Sequence, residues 1–208
     1  MIQAISALNN KPKLFISASA VGYYGDKGEE VINENSNYGN DFLAKLVYDW
    51  ENAGQAVKNY NVKFSAIRTG IVLSKYEGMV ERMITPFKFF IGGPLGNGKQ
   101  WVPWISLDDI VNIYLFVLEN EIEGPINATS PNPVRMNEFA NLLGKKLNRP
   151  SYLHAPKFGI KLVAGEIADS VLMSQKVFPQ KLIDSGYKFK FDNLDSAIDE
   201  LFIKSQKS

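Results

Sequence analysis

The feature that most constrains this chain is an apolar run that ends in hydroxyl groups and glycines, Phe15-Ile-Ser-Ala-Ser-Ala-Val-Gly-Tyr-Tyr-Gly25. Such a run is typical of a buried strand in a parallel sheet, and open α/β sheets bind ligands outside the carboxyl ends of their strands. We therefore expect Ser19, Tyr23 and Tyr24 to line an active-site edge. Only fourteen residues precede Phe15. We accordingly expect the usual strand, glycine-rich turn and helix of a nucleotide-binding half to be absent from these residues.

Composition indicates a globular protein and limits the classes of partner that it is expected to bind. The 208 residues are 45% hydrophobic and 12% aromatic, which is enough to bury a sizeable core. Lysines and arginines number 23 against 22 acidic residues, and no basic run is present, so nucleic acid is not an expected partner.

Compartment and membrane signals are also missing from the sequence. There is no cysteine, and the first residues lack the basic and long apolar regions of a signal peptide. The most apolar window, residues 110–118, is shorter than the roughly 20 residues that cross a bilayer. These observations predict a cytoplasmic protein that does not bind membranes.

The pattern along the chain predicts an α/β fold. Apolar residues at helical spacing over residues 40–57 indicate a long helix that Asn40 or Asp41 caps. Residues 62–68 alternate and then become apolar, which indicates a second strand, and residues 126–129 indicate a short third strand. A strand, helix and strand in this order form a parallel crossover. We expect a partial Rossmann-like parallel sheet with flanking helices.

The remaining segments are predicted to be mostly helical. Ser106 and Asp109 have capping-box spacing at the start of one helix. Other helices are predicted over residues 79–90, 136–147, 164–173, 180–185 and 194–203. We therefore expect two parts: the C-terminal part of a Rossmann-like domain in residues 1–130, and a mostly helical C-terminal domain in residues 131–208.

Several ordered motifs together resemble one known family. They comprise the residues 17–25, 42–51, 68–73, 92–98 and 104–109, Asn127 followed by residues 131–134, and residues 179–182. Their order is similar to that of an atypical branch of the extended short-chain dehydrogenase/reductases, the NAD-dependent epimerase/dehydratase-like proteins with a C-terminal domain of unknown function. The resemblance spans nearly the whole chain but begins well inside the family pattern. The Gly-x-Gly-x-x-Gly turn that binds a dinucleotide pyrophosphate belongs to the part that this sequence does not contain.

The resemblance implies hydride transfer assisted by a Ser or Thr hydroxyl, a tyrosine and a lysine four residues after it. The lysine favours tyrosinate and so lowers a pKa that is ordinarily about 10. Ser19 matches the hydroxyl, but Asp41 stands four residues before Lys45 and has no phenol. Tyr23 and Tyr24 are the alternative phenols.

Each of these catalytic candidates also has a structural interpretation. Ser19 could cap a turn, the two tyrosines could be packed aromatics, and Lys45 could lie on a solvated helix face.

The substrate-binding candidates lie at strand ends and in the glycine loop. Arg68 ends the second strand, where a guanidinium could hold a carboxylate or phosphate, although an ion pair inside the domain fits equally well. The full set is Ser17, Arg68, Gly70, Gly96, Gly98, Gln100 and Trp104.

Two features suggest chemistry but have better structural explanations. The loop Gly93 to Lys99 has the letters of a phosphate-binding loop, but Gln100 replaces the Ser or Thr that binds magnesium, and no helix follows. Asp108 and Asp109 are predicted helix caps, so no metal site is predicted.

Two functions of different classes remain open. The chain is either an N-terminally truncated NAD(P)-dependent epimerase, dehydratase or oxidoreductase acting on an unknown small molecule, or a non-catalytic binding module that retains the fold. The resemblance implies NAD or NADP as cofactor, which we do not expect these 208 residues to bind alone.

The predicted strand at residues 14–20 contains no proline or charge. Such an edge favours pairing with a second copy or with a separately encoded N-terminal half.

Overall fold

The computed structural model describes residues 2–156, 160 and 168–203. Its strands are β1 (Leu14–Ala20), β2 (Val31–Ile32), β3 (Lys63–Thr69), β4 (Ile71–Leu73), β5 (Trp101–Val102), β6 (Trp104–Ser106), β7 (Gly124–Ala128), β8 (Val134–Arg135) and β9 (Lys176–Val177). Its helices are α1 (Ile2–Ser6), α2 (Phe42–Gln55), α3 (Gly78–Lys88), α4 (Leu107–Glu119), α5 (Met136–Leu147), α6 (Ala168–Leu172), α7 (Gln180–Asp184) and α8 (Leu194–Ile203). Short 3-10 turns cover Val21–Tyr24 and Ala56–Tyr60.

The centre of the fold is a parallel sheet in the order β1, β3, β7. The register pairs Ser19 with Arg68 and Arg68 with Asn127. Side chains alternate between the two faces along a strand, and residues paired across neighbouring strands point to the same face. These three residues therefore share one face of the sheet. The parallel α/β arrangement predicted from the sequence is confirmed.

Helix α2 covers the sheet face that carries this row. Asp41 caps it, because its carboxylate accepts a hydrogen bond of 3.0 Å from the amide of Ala44. Ala44, Val47 and Gly54 are buried against the sheet. At Gly54 a Cβ would lie 2.6 Å from the ring of Phe64, so only glycine permits this close approach of helix and strand.

Helix α4 covers the opposite face. Its Ser106 cap accepts from the amide of Asp109 at 3.0 Å, as the capping-box spacing predicted. Ile113 and Val117 of α4 pack in one core with Ile67 and Ile126 of the sheet. This face is apolar where the α2 face is polar.

The C-terminal segments pack against the sheet part rather than apart from it. Strand β9 pairs in parallel with β2, and Tyr187 lies in the core beneath α4. A second core joins α3, α5 and α8 through Phe87, Phe139 and Ile198. Residues from both sides of position 130 therefore share their cores.

The predicted helices are confirmed for residues 136–147 and 194–203, and within one or two residues at 79–90 and 180–185. Of the predicted helix 164–173, only α6 is described, and residues 164–167 lie outside the described residues. None of the described helices combines the length and apolar character that a bilayer crossing needs.

Candidate functional site

The row of Ser19, Arg68 and Asn127 is joined into one buried network by Glu51 of α2. Ser19 Oγ donates to Glu51 Oε1 at 2.5 Å. Arg68 makes a two-pronged ion pair with the same carboxylate, with Nε to Oε1 at 2.9 Å and Nη2 to Oε2 at 2.8 Å. The side chains of Arg68 and Glu51 are only 3% and 7% exposed. Such charge-assisted fork contacts are short and fix their geometry.

Tyr24 extends the network to β7. Its hydroxyl accepts from Arg68 Nη1 at 2.9 Å and donates to Asn127 Oδ1 at 2.7 Å. Burial raises the pKa of Tyr24 from 10.0 to about 12, against the opposite effect of Arg68. The phenol therefore keeps its proton at neutral pH and acts as a hydrogen-bond donor.

Tyr23 lies on top of the network. The guanidinium carbon of Arg68 is 3.4 Å from the centre of its ring, a distance at which the π face attracts the cation. Tyr23 also contacts the rings of Tyr38 and Tyr48, which stack on each other. Burial acts to lower the pKa of Arg68, but its hydrogen bonds and charge interactions with Glu51 and Tyr24 together outweigh this effect and raise the pKa above its ordinary value.

A second carboxylate, Glu34, holds the free edge of β7. Its Oε1 accepts from the amide of Asn127 at 3.1 Å and from that of Lys181 at 3.2 Å. Burial raises the pKa of Glu34 although these amides act in the opposite direction. Glu34 thus links the sheet to the start of α7.

The structure brings together Ser19, Tyr23, Tyr24 and Arg68 among the residues predicted from the sequence. The ion pair that the sequence allowed for Arg68 is present. Lys45, in contrast, is exposed on α2, and Asp41 caps that helix instead of offering a proton-transfer group. Ser17 is buried, and its hydroxyl donates to the carbonyl of Ala18.

The other predicted substrate-binding residues do not join this network. Trp104 is fully buried in the core with α3 and α5, where its indole N–H donates to the carbonyl of Asn132. Gly70 lies against the backbone, because a Cβ there would be 2.2 Å from the carbonyl oxygen of Pro103. Gln100 is buried and donates to the carbonyl of Leu95.

Three amides of the glycine loop already form hydrogen bonds within the protein. Gly96 N donates to the carbonyl of Ala155, and Gly98 N donates to that of Leu95. The amide of Lys99 donates to Asn97 Oδ1. The next element is β5, so no helix follows the loop, as its sequence predicted, and the loop lacks the helix dipole that favours phosphate.

Glu51 and Asn127 are the functional candidates that residue-type reasoning missed. Glu51 falls at an inward position of α2, in line with Ala44, Val47 and Gly54, and a buried carboxylate requires a partner. That spacing was a usable signal. Asn127 belonged to one of the family motifs, but its place beside Arg68 depends on the strand order and was not predicted.

Metal ligands are not gathered in this network. Across residues 2–156, 160 and 168–203, no group of three or more His, Asp or Glu could hold a metal ion.

Comparison with known proteins decides the family. The model of the NAD dependent epimerase/dehydratase family matches residues 1–129, which is more than half of the chain. The chain belongs to this family. A domain of unknown function, DUF1731, matches residues 155–201. The resemblance read from the motifs is confirmed.

The relatives are epimerase family proteins. A chloroplastic epimerase family protein, the SDR39U1 homolog of Arabidopsis thaliana, is 42% identical over 94% of this chain. The chain spans only 58% of that relative's length.

Two solved structures share the fold. The crystal structure of human epimerase family protein SDR39U1 with NADPH has a TM-score of 0.87 at 30% identity, over 96% of this chain and 68% of that one. A nucleoside-diphosphate sugar epimerase from Corynebacterium glutamicum has a TM-score of 0.79 at 31% identity, over 99% of this chain and 42% of that one.

The family implies a dinucleotide, and the residues present do not fit its pyrophosphate. The 208 residues contain no Gly-x-Gly-x-x-Gly turn. The amides of Gly96 and Gly98 are paired internally, and most polar groups of the strand-end network bind one another. These residues supply no preorganised anion site for two phosphates.

Proposed function

We propose that the chain is the substrate-side part of an NAD(P)-dependent epimerase, dehydratase or oxidoreductase that acts on a small molecule. The main support for this proposal is the in-register row of Ser19, Arg68 and Asn127. It places polar groups on one face of the sheet, near the carboxyl ends of three parallel strands. Ligand crevices of open α/β sheets lie there. Family membership supports the reaction class.

Ser19 is the catalytic residue that the geometry supports best. Its hydroxyl hydrogen is engaged in the hydrogen bond to Glu51. The lone pairs of its oxygen are therefore left to accept a hydrogen bond from a substrate hydroxyl. Tyr23 and Tyr24 are proposed to act beside it. Lys45 is retained in the proposal on the family pattern alone, because its side chain is exposed.

A specific observation favours the second function, a non-catalytic binding module. Asp41 stands where the family pattern has a tyrosine, and its carboxylate caps α2. Tyr24, the buried alternative, has its hydroxyl bonded to both Arg68 and Asn127. In this interpretation the network only stabilises the fold.

The coding DNA upstream of Met1 and an activity assay separate the two functions. For an enzyme we expect an in-frame strand, Gly-x-Gly-x-x-Gly turn and helix, and the longer protein should oxidise NADPH with a carbonyl substrate from a sugar-nucleotide panel. Ser19→Ala should then lower kcat by about 100-fold or more, whereas Lys188→Gln on the exposed surface should not. An upstream sequence without this turn would favour the module.

The cofactor proposal is that the 208-residue chain binds neither NAD(H) nor NADP(H) usefully. Calorimetric titration should give no saturable heat up to about 1 mM, where binding is worth only about 4 kcal/mol. A micromolar dissociation constant would contradict the proposal and require another phosphate site.

We further propose that the chain associates through β1, as a homo-oligomer or with a separately encoded segment. Among the described strands, only β3 pairs with β1, and α1 packs near Val57 and Phe64 rather than along the outer edge. An unpaired apolar edge favours strand addition. Light scattering of a concentrated solution should show dimers or larger species, and a stable monomer would contradict the proposal.

A further inference from the structure

A polar cavity on the α2 face shares Tyr23, Glu51 and Arg68 with the strand-end network and extends from it toward the amino-terminal halves of the strands. It has a volume of about 260 Å³, and its floor includes Phe64, Gly124 and Pro125. Phe64 is near the start of β3, and the other two residues begin β7. We name it the α2 cavity. Its floor is built from the amino-terminal halves of β3 and β7, so the α2 cavity borders the crevice proposed above and extends beyond it.

One wall of the α2 cavity is a polar face of the helix. Tyr48, Glu51, Asn52 and Gln55 line it, and their spacing of three, four and seven residues places them on one side of α2. Ala44 and Val47 on the neighbouring side are buried, whereas Asn52 and Gln55 are exposed, so their side-chain amides are open to a ligand. A polar row over an open volume is what a binding site requires.

The opposite wall is the loop that carries Glu34, Asn35 and Asn37. Asn35 and Asn37 are exposed, and their side-chain amides make no hydrogen bond to the described part of the chain. They are therefore available as donors or acceptors at the cavity mouth. The volume falls just below the roughly 300–1,000 Å³ of sites for drug-sized ligands, so the occupant is a smaller metabolite.

Two cationic side chains that line the α2 cavity have unused donors. Three N–H groups of Arg68 donate to Glu51 and Tyr24. One N–H group on Nη1 and one on Nη2 therefore remain available. The ammonium of Lys58 has no hydrogen bond or ion pair among residues 2–156, 160 and 168–203. Burial lowers the pKa of the neighbouring Lys181; the charges of Arg68 and Lys58 act in the same direction, and those of Glu34 and Glu123 act against it.

The carboxylates that line the cavity are less available than these cations. Glu51 is occupied by Arg68 and Ser19. Glu34 accepts two backbone amides, and burial, which raises its pKa, disfavours its charged form. A negative ligand would therefore meet donors and relieve the mutual repulsion of the lysines.

We propose that the α2 cavity binds a small organic anion, whose carboxylate or phosphate lies between Lys58 and Arg68 and whose remaining polar groups meet the amides of Asn35, Asn37 and Asn52. The site adjoins the proposed crevice through Arg68, but anion binding there does not depend on the cofactor or on the proposed reaction.

Amide NMR titration of the full 208-residue chain tests the proposal, with malate as the carboxylate probe, glycerol phosphate as the phosphate probe and sodium chloride at equal ionic strength as the reference. Saturable shifts confined to Gly124, residues 35–37 and the side-chain amides of Asn52 and Gln55 are expected for at least one probe. The responding probe identifies the anionic group.

Two variants make the result decisive. Lys58→Gln removes an exposed charge without disturbing the core and should weaken binding by about tenfold or more. Lys188→Gln makes the same change elsewhere on the surface and should leave the dissociation constant unchanged. The proposal is overturned if neither probe saturates by about 10 mM, if the shifts follow chloride, or if both variants bind like the original chain.

Discussion

Two buried carboxylates in this protein are satisfied in different ways. Glu51, 5% exposed, pairs with the guanidinium of Arg68 and accepts from Ser19. Asp109 is fully buried and accepts instead from two hydroxyls and two backbone amides. These donors are Ser106 Oγ at 2.7 Å, Tyr187 Oη at 3.2 Å, Lys190 N at 2.7 Å and Phe191 N at 3.0 Å.

The two arrangements join different parts of the molecule. Glu51 connects a helix to two strands within the epimerase-family region, and its opposite charge comes from one side chain. Asp109, at the start of α4, fixes the segment that carries Lys190 and Phe191, and its charge also interacts favourably with the helix dipole. The charge of Glu51 depends on a single cation, whereas that of Asp109 is distributed over several neutral donors.

The largest effect should come from removing the single partner. Arg68→Met leaves Glu51 buried without a cation, and loss of one member of a buried pair costs about 3–5 kcal/mol. Chemical denaturation should show this decrease in the free energy of unfolding. The double variant Arg68→Met with Glu51→Leu should recover most of the loss, because no unpaired charge remains. A double variant as unstable as the single one would mean that Arg68 acts through packing rather than charge.

The pH dependence of Tyr24 sharpens the description of this network. Its pKa is raised to about 12 in the folded protein from 10.0 in the unfolded chain, because it is buried. The folded state thus holds the proton more tightly, so the contribution to stability is complete below pH 10 and is lost as the pH rises toward 12. The loss should be about 2–3 kcal/mol. The free energy of unfolding of the original chain minus that of Tyr24→Phe, measured between about pH 9 and pH 12, isolates this contribution. If that difference did not change with pH, the buried, protonated phenol would be contradicted.

A smaller loss is expected when the distributed contact is altered. Asp109→Asn keeps the shape but places an NH₂ group against donors, so one backbone amide loses its acceptor, which costs about 1–3 kcal/mol. Hydrogen exchange should become faster at the amides of Lys190 and Phe191, while those of β3 stay protected. Faster exchange at β3 as well would show global unfolding and contradict a local role in fixing the C-terminal segment.

The same comparison explains what the sequence could predict. Helix α5 and the Ser106 cap were predictable because apolar spacing and capping are local. The pairing of Arg68 with Glu51 was predictable only in part. The sequence shows a cation at a strand end and a carboxylate at an inward helical position, but not that the two meet. Asp109 was identified as a cap, but its contacts to residues 190 and 191 use backbone amides, which every non-proline residue has. The two-residue strands β2 and β9 were missed because they are too short to show periodicity.

The smallest effect should come from the carboxylate next to Asp109. Asp108 forms an ion pair of 2.5 Å with the ammonium of Lys190, and their side chains are 28% and 49% exposed. Water and salt screen such pairs, which contribute about 0–1 kcal/mol. Asp108→Asn should therefore lower stability by less than about 1 kcal/mol, and the difference should vanish near 1 M salt. If Asp108→Asn cost as much as Asp109→Asn, the ion pair would share the task of fixing this segment, and the backbone amides could not be its main anchor.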